Sequence, residues 1–82
     1  MNEVKWSKKA KRQLAKISIN YRMAITDATR ALVNFPECKN VKPLKKYDFR
    51  LRVGRYRVFF DFDGQIKIIA IQEVKKRDER TY

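Results

Sequence analysis

The residues best suited to chemistry lie in one short stretch, residues 49–60, where arginines alternate with apolar side chains. Such alternation is typical of a β-strand that has one polar and one apolar face. In the middle of the stretch, Gly54 and Arg55 supply a two-residue turn, because glycine adopts positive φ at little cost. The stretch therefore predicts a β-hairpin in which Val53 pairs with Tyr56 and Arg52 with Arg57.

The polar face of this predicted hairpin carries positive charge and one aromatic ring. Its members are Arg50, Arg52, Arg57 and Phe59. A guanidinium is planar, stays charged at ordinary pH and can donate two parallel hydrogen bonds to one phosphate. Arginines held on a rigid sheet therefore predict a phosphate-binding surface, with nucleic acid as the expected ligand. Phe59 could stack on a nucleobase or pack against an apolar segment of a protein partner.

The residue types limit which reactions this surface could catalyse. The sequence contains no histidine, so the imidazole acid and base of many ribonucleases are excluded. Cys38 has no second cysteine with which to bind a metal, and Asp61 and Asp63 are expected to be solvated turn residues. We predict no metal and no cofactor. RNA could still be cleaved if its own 2′-hydroxyl attacks the neighbouring phosphate while the protein aligns the attack and neutralises the transition state.

The overall charge supports an anionic partner. The 82 residues include 21 Lys and Arg against 9 Asp and Glu, which gives a net charge of +12. Such an excess repels itself, and nucleic acid or an acidic protein would relieve the repulsion. The sequence contains neither a long apolar stretch that could span a membrane nor the apolar core of a signal peptide. We therefore expect a single cytoplasmic domain, residues 1–82, that does not bind membranes.

The remaining sequence predicts the elements that position the hairpin. In chain order these are a strand at residues 3–6, a helix from Lys8 capped by Ser7, a second helix to about Asn34 that Pro36 ends, a loop at 41–47, the hairpin, a strand at 66–74 and a basic tail at 75–82. Tyr21, Ala24 and Ile25 are predicted on the buried side of the second helix. The fold class is α+β, in the order β-α-α-β-β-β, with a helical hairpin packed on the apolar face of a small, mainly antiparallel sheet.

Three features of the sequence resemble the RelE/ParE superfamily of bacterial toxins. They are the order of the elements, residues 50–58 (Arg-Leu-Arg-Val-Gly-Arg-Tyr-Arg-Val) and the basic ending from Glu73 to Tyr82. The resemblance covers nearly the whole chain, and the ending is more similar to the RelE branch. It implies a toxin of a type II toxin–antitoxin system with a cognate antitoxin. It also implies a metal-independent endoribonuclease that cleaves messenger RNA in the ribosomal A site and so inhibits translation. The alternatives are a ParE-like inhibitor of DNA gyrase and a nucleic-acid-binding module without activity.

The same resemblance implies catalytic roles for individual residues. Arg57 matches the sheet arginine that stabilises the transition-state phosphate. Arg77 matches the tail arginine that assists the leaving 5′-oxygen. Tyr82 matches the tyrosine that stacks on a base or helps to activate the nucleophile.

Other positions depart from the well-studied relatives. Arg50 and Asp48 stand where those enzymes have lysines, and arginine is essentially never deprotonated, so it is a poor base. Arg50 and Arg52 are therefore predicted to clamp phosphate, Arg50 as part of the catalytic set. The general base could be Lys45, Lys46, Tyr82 or a group of the ribosomal RNA. Three lysines are predicted to contact RNA as positioning charges: Lys45, Lys46 and Lys76.

Overall fold

The computed structural model describes residues 1–38, 40–44 and 47–76. Within these ranges the chain forms two α-helices, one 3₁₀-helix and a five-stranded sheet. In chain order the elements are β1 (Glu3–Trp6), α1 (Lys8–Ala15), α2 (Ile19–Arg30), a 3₁₀-helix (Ala31–Asn34), β2 (Val41–Pro43), β3 (Phe49–Val53), β4 (Tyr56–Asp63) and β5 (Ile68–Lys76). This arrangement confirms the predicted α+β class.

The sheet has the strand order β1-β5-β4-β3-β2. The pairing of β1 with β5 is parallel, and the other three pairings are antiparallel. The apolar run Ile68–Ile71 predicts a strand in the middle of the sheet that is buried on both faces. Strand β5 does lie between β1 and β4, but only Ile69 and Ile71 are fully buried, whereas Ile68 and Ala70 on the other face are half-buried. The first strand of the chain therefore lies at one edge, beside the last strand.

The predicted loop at residues 41–47 is wrong in its first part. Val41 pairs with Leu51 and Pro43 with Phe49, so this segment is an edge strand of the sheet. A three-residue strand is too short to show a period, and its proline suggests a loop. Proline is nevertheless tolerated at an edge, where its missing N–H faces away from the ladder. The sheet thus has five strands where the sequence predicts four.

The bounds of the last strand also differ from the prediction of 66–74. The Asp63 carboxylate accepts hydrogen bonds from the backbone N–H groups of Gln65 and Ile66, which places both in a turn. Lys67 completes this turn with a φ of 54°. The strand begins at Ile68 and continues to Lys76, so Lys75 and Lys76 belong to the sheet and not to a tail.

The two helices begin and end near the predicted positions. The Ser7 hydroxyl accepts a hydrogen bond from the Ala10 N–H at 3.0 Å, the predicted cap of α1. Helix α2 ends at Arg30 and continues as the 3₁₀-helix to Asn34. The predicted burial of Tyr21 and Ala24 is wrong, since both are exposed. The start of α2 lies near the hairpin end of the sheet, where the Tyr21 ring contacts the half-buried Tyr56 with a centroid distance of 5.3 Å.

The core lies between the helices and one face of the sheet. Its fully or nearly fully buried apolar residues are Ala10, Ile25, Leu32, Leu51, Val58, Phe60, Ile69, Ile71 and Val74. The ring of Phe35 closes this core at the end of the 3₁₀-helix, with its centroid 4.8 Å from that of Phe49 and 5.5 Å from that of Phe60. Within the described ranges, neither helix has the length and apolar character needed to cross a membrane.

Candidate nucleic-acid interface

The hairpin forms in the predicted register. Val53 pairs with Tyr56, Arg52 with Arg57, and Arg50 with Phe59. Gly54 has a φ of 56°, a left-handed conformation that places the turn in the family whose first position favours glycine. The turn therefore fixes which side chains share each face of the two strands.

One face of the hairpin is buried by the helices, and the other carries the arginines. Leu51 and Val58 are nearly or fully buried on the helix side. Because side chains alternate along a strand, Arg50, Arg52 and Arg57 point to the opposite face. Arg52 is exposed, whereas Arg50 and Arg57 are half-buried. The predicted cationic face of the hairpin is confirmed as an arrangement of side chains.

A β-bulge extends this face onto β5. Phe60 pairs with Ile71, but Phe59 pairs with Glu73, so Gln72 is the extra residue on β5. The bulge allows both Ile71 and Val74 to be buried, although residues three apart on a regular strand point to opposite faces. Beyond the bulge, Glu73 and Lys75 consequently lie on the face that carries the arginines.

Two rows of side chains therefore cross the open face, perpendicular to the strands. The first row, which we call the cationic row, consists of Arg52 on β3, Arg57 on β4 and Lys75 on β5. The second row consists of Arg50, Phe59 and Glu73 on the same three strands. Since neighbouring strands lie about 4.8 Å apart, each row spans roughly 10 Å.

Glu73 is a buried carboxylate at the end of the second row. Only 2% of the residue is exposed, and its Oε1 atom lies 2.8 Å from the Nζ atom of Lys9 and 3.7 Å from that of Lys75. The hydroxyl of Tyr47 donates a hydrogen bond to the other carboxylate oxygen. The bond from Lys9, followed by that from Tyr47, lowers the pKa of Glu73 to about 2. Glu73 is thus a weak base that holds its neighbours in place.

The aromatic side of this cluster is formed by Tyr47 and Phe59. Their ring centroids are 5.5 Å apart. The hydrogen bond to Glu73 raises the pKa of the Tyr47 phenol, which therefore remains a neutral donor at physiological pH. Tyr47 links the ring of Phe59 to the carboxylate of Glu73.

Helix α1 reaches this cluster because β1 is short. Strand β1 pairs with β5 only as far as Ile71. Farther along β5, the side chain of Gln13 accepts a hydrogen bond from the Val74 N–H at 2.7 Å. Helix α1 therefore lies along the part of the β5 edge with which β1 does not pair. This position brings Lys9, one turn before Gln13, to Glu73.

Four residues of this arrangement are not among the predicted site residues: Lys9, Tyr47, Glu73 and Lys75. The signal that could have revealed them is Glu73 itself, an acidic residue two positions after the apolar run Ile68–Ile71 and next to the apolar Val74. Charged residues are almost never fully buried unless they are paired. A carboxylate at such a position predicts cationic partners brought from elsewhere in the chain.

The structure separates other predicted site residues from this face. Lys76 pairs with Tyr56, so it lies on the helix side of the sheet, opposite to the cationic row. Lys45, Lys46, Arg77 and Tyr82 lie outside the described residues, and their roles stay predictions.

The acidic residues near the turn are not simply solvated. Asp61 lies within β4, half-buried, and accepts hydrogen bonds from the Asp48 N–H at 2.8 Å and the Gln72 amide at 3.2 Å. Asp48 in turn accepts a hydrogen bond from the Phe62 N–H. Their carboxylates therefore hold β3, β4 and β5 together. In the described part of the chain, no three His, Cys, Asp or Glu side chains are grouped so as to hold a metal ion.

Residues 4–81 match the family model described as the ParE toxin of the type II toxin–antitoxin system parDE. This chain belongs to the ParE toxin family. The predicted resemblance to the RelE/ParE superfamily is confirmed, and the protein is a toxin of a type II toxin–antitoxin system. No curated protein matches the sequence.

Solved structures share the fold of this ParE-family toxin. A chain of the RelBE2 toxin–antitoxin complex from Mycobacterium tuberculosis superposes with a TM-score of 0.80 at 23% identity, covering 93% of this chain and 98% of that chain. A chain of the RelE–RelB complex from Pyrococcus horikoshii superposes with a TM-score of 0.75 at 20% identity, covering 95% of this chain and 97% of that chain. The isolated E. coli RelE toxin superposes with a TM-score of 0.80 at 11% identity, covering 96% of this chain and 87% of that chain. Since sequence identity is this low, the comparison establishes the shared fold.

Proposed function

We propose that this ParE-family toxin is an endoribonuclease that cleaves messenger RNA in the ribosomal A site without a metal ion and so stops translation in the cytoplasm. The observation that carries the proposal is the cationic row, Arg52, Arg57 and Lys75, beside the ring of Phe59. Cations that neutralise phosphate beside an aromatic ring that can stack on a base are the usual components of a single-strand RNA site.

The reaction uses a nucleophile that RNA itself supplies. The 2′-oxygen attacks the adjacent phosphorus and loses its proton, and the bond from phosphorus to the 5′-oxygen breaks as that oxygen gains a proton. The products are a 2′,3′-cyclic phosphate and a 5′-hydroxyl. Arg57, at the centre of the cationic row, would bind the non-bridging oxygens, whose negative charge is greatest in the pentacoordinate transition state.

The described part of the site is better suited to electrostatic stabilisation than to proton transfer. Glu73 is a buried carboxylate in the row next to that of Arg57 on the open face, and a pKa of about 2 makes it a poor acceptor for a hydroxyl proton. Arg50 and Arg52 offer only hydrogen-bond donors and would clamp phosphate. The proton transfers are therefore assigned to Lys45, Lys46, Arg77, Tyr82 or groups of the ribosome. Alignment of the messenger by the ribosome would supply much of the remaining acceleration.

The cognate antitoxin is the expected protein partner of this toxin. Four of the similar solved structures are toxin–antitoxin complexes. An acidic antitoxin segment that covers the cationic row would compete with RNA for the same arginines and would reduce the self-repulsion of a chain with net charge +12.

Primer extension on a defined messenger tests the proposal, with and without translating ribosomes. The variants are Arg57→Ala and the matched control Arg55→Ala, which removes the same charge from the exposed hairpin turn. Cuts confined to A-site codons, dependent on ribosomes, lost in Arg57→Ala and kept in Arg55→Ala, would support the assignment. An intact messenger in the presence of wild-type protein that still arrests growth would refute it.

Inhibition of DNA gyrase is the second candidate, because the matching family is described by its ParE member. This function predicts loss of supercoiling activity with purified gyrase and a DNA-damage response in cells, while translation initially continues. A supercoiling assay with the same two variants separates it from ribonuclease action. A protein without effect on messenger, gyrase or growth would instead be a nucleic-acid-binding module.

A further inference from the structure

We propose that Lys75 is a phosphate-binding residue of this toxin and that single-stranded RNA crosses the sheet along the cationic row, with one base on Phe59. The proposal rests on the proposed function for the identity of the ligand. Lys75 is the partner of Arg57 across β4 and β5, and its side chain is 54% exposed. It therefore extends the charge of the hairpin arginines by one strand.

The register supports this path. Arg52, Arg57 and Lys75 are consecutive cross-strand partners, so their side chains lie on the same face at successive strand spacings. Like charges directly opposite one another destabilise a sheet. An anionic chain that follows the row would meet Arg52, Arg57 and Lys75 in succession, whereas an anion bound at the hairpin alone would not reach Lys75.

Glu73 positions Lys75 for this role. Its Oε1 atom lies 3.7 Å from the Lys75 ammonium, which keeps the flexible side chain on the open face. The same oxygen is 2.8 Å from the Lys9 ammonium, and the carboxylate is almost completely buried. Since Lys9 compensates the negative charge and the protein covers it, Glu73 presents little repulsion to an approaching phosphate.

The second row supplies the surface for a base. Phe59 lies between Arg50 and Glu73, adjacent to Arg57 along the same face of β4. The residue is half-buried, and the ring of Tyr47 contacts it with a centroid distance of 5.5 Å. A phosphate on Arg57 and a base on Phe59 would thus belong to one nucleotide or to two neighbours.

The chain offers a matched control in the next residue. Lys76 has the same charge, the same strand and an exposed side chain, but it pairs with Tyr56 and lies on the helix side. Lys75→Ala and Lys76→Ala therefore change the net charge equally. A difference between the two variants reports contact with RNA, whereas an equal effect reports only the general attraction between opposite charges.

The experiment measures binding of the full chain to a fluorescent single-stranded RNA by anisotropy at several salt concentrations. Every nucleotide of the RNA carries a 2′-O-methyl group, which removes the attacking hydroxyl and separates binding from cleavage. We expect Lys75→Ala to weaken binding about three- to fivefold and to lower the slope of log Kd against log salt by about 0.7. We expect Lys76→Ala to stay within about twofold of wild type with an unchanged slope.

Two further variants separate positioning from contact. Lys75→Arg keeps the charge and should restore both affinity and slope. Glu73→Gln keeps the positive charge of Lys75 but removes the carboxylate that positions its side chain. The affinity for RNA should therefore fall, while the salt slope should stay close to that of wild type. Circular dichroism and thermal unfolding verify that each variant is folded.

The proposal would be overturned if Lys75→Ala and Lys76→Ala lowered the affinity for RNA equally, or if neither lowered it. It would also be overturned if the folded wild type did not bind RNA. The primer-extension result is independent. Ribosome-dependent cleavage without the difference between the two lysines would leave the proposed function standing and reject the RNA path. A difference in RNA affinity between the two lysine variants, without cleavage of the messenger, would retain the RNA path and reject the ribonuclease function.

Discussion

The Nζ atom of Lys9 lies 2.8 Å from the Oε1 atom of Glu73, so an ion pair joins the first helix to strand β5, which lies between β1 and β4. Glu73 is almost fully buried, whereas the side chain of Lys9 is 63% exposed. A buried charge is tolerated only when it is compensated, and here the compensation comes from a residue more than sixty positions away in the chain. The same carboxylate holds Lys75 and Tyr47 on the proposed RNA face, which couples the stability of the fold to the geometry of the site.

Removal of Lys9 tests this coupling. We expect Lys9→Ala to lower the free energy of unfolding by about 1–2 kcal/mol, because Glu73 keeps Tyr47 and Lys75 as partners but loses its shortest ion pair. Urea unfolding at neutral pH measures the change. Lys11→Ala, at an exposed position of the same helix, is the matched control and should change stability by less than about 0.5 kcal/mol. Equal effects of the two substitutions would show that the ion pair contributes nothing.

Acid should weaken the fold through Glu73. Its pKa is about 2 in the folded protein against an ordinary value of 4.5, so its contribution is fully present above pH 4.5 and is lost as pH falls towards 2. The shift corresponds to on the order of 3 kcal/mol. Urea midpoints measured from pH 6 to pH 2 should therefore fall less steeply for Glu73→Gln than for wild type. Glu37→Gln, which alters an exposed carboxyl, should follow wild type, and parallel curves for all three proteins would contradict the prediction.

Tyr47 should titrate above the ordinary phenol range. Its hydroxyl donates to the Glu73 carboxylate, and ionisation would remove that bond and place two negative charges together, so the pKa of Tyr47 is raised. Absorbance titration of wild type minus Tyr47→Phe isolates this phenol from the other tyrosines. In Glu73→Gln the Tyr47 transition should move to lower pH. A transition that stays in place would mean that the hydrogen bond does not form in solution.

The hairpin turn should depend on glycine at position 54. Gly54 has a φ of 56°, and although an added Cβ would meet no atom within 4 Å, an alanine there would still be strained by its own backbone. We expect Gly54→Ala to lower the free energy of unfolding by about 1–2 kcal/mol. Thermal unfolding measures the loss of stability. Arg55→Ala, at the neighbouring turn position, is the control and should have little effect. A neutral Gly54→Ala would show that the turn relaxes to another type.

Arg57 should require its guanidinium and not only its charge. In Arg57→Lys the positive charge remains, but the planar pair of donors to phosphate is lost. We expect ribosome-dependent cleavage to slow about a hundredfold, while binding of the 2′-O-methyl RNA changes by less than about threefold. Quenched-flow cleavage and anisotropy measure the two quantities. Equal losses in both would assign Arg57 to binding alone.

Local sequence determined the hairpin and its cationic face. Gly54 sets the turn, the two-residue period sets the faces, and both depend on residues close together in the chain, so the pairing of Arg52 with Arg57 follows directly from the sequence. The cap at Ser7 was predictable for the same reason. The edge strand at Val41–Pro43 was not, because it is too short to show a period.

Only the tertiary structure decided how β5 completes the site. Without the bulge at Gln72, Arg57 would lie opposite Val74 and Tyr56 opposite Lys75, since a shift of one residue exchanges the two faces of a strand. The bulge forms where Ile71 and Val74 are buried on the same side, and it thereby turns Lys75 to the open face and Lys76 to the helices. Adjacent lysines look alike in the sequence. Their different surroundings arise from packing between segments far apart in the chain, as does the pairing of Glu73 with Lys9.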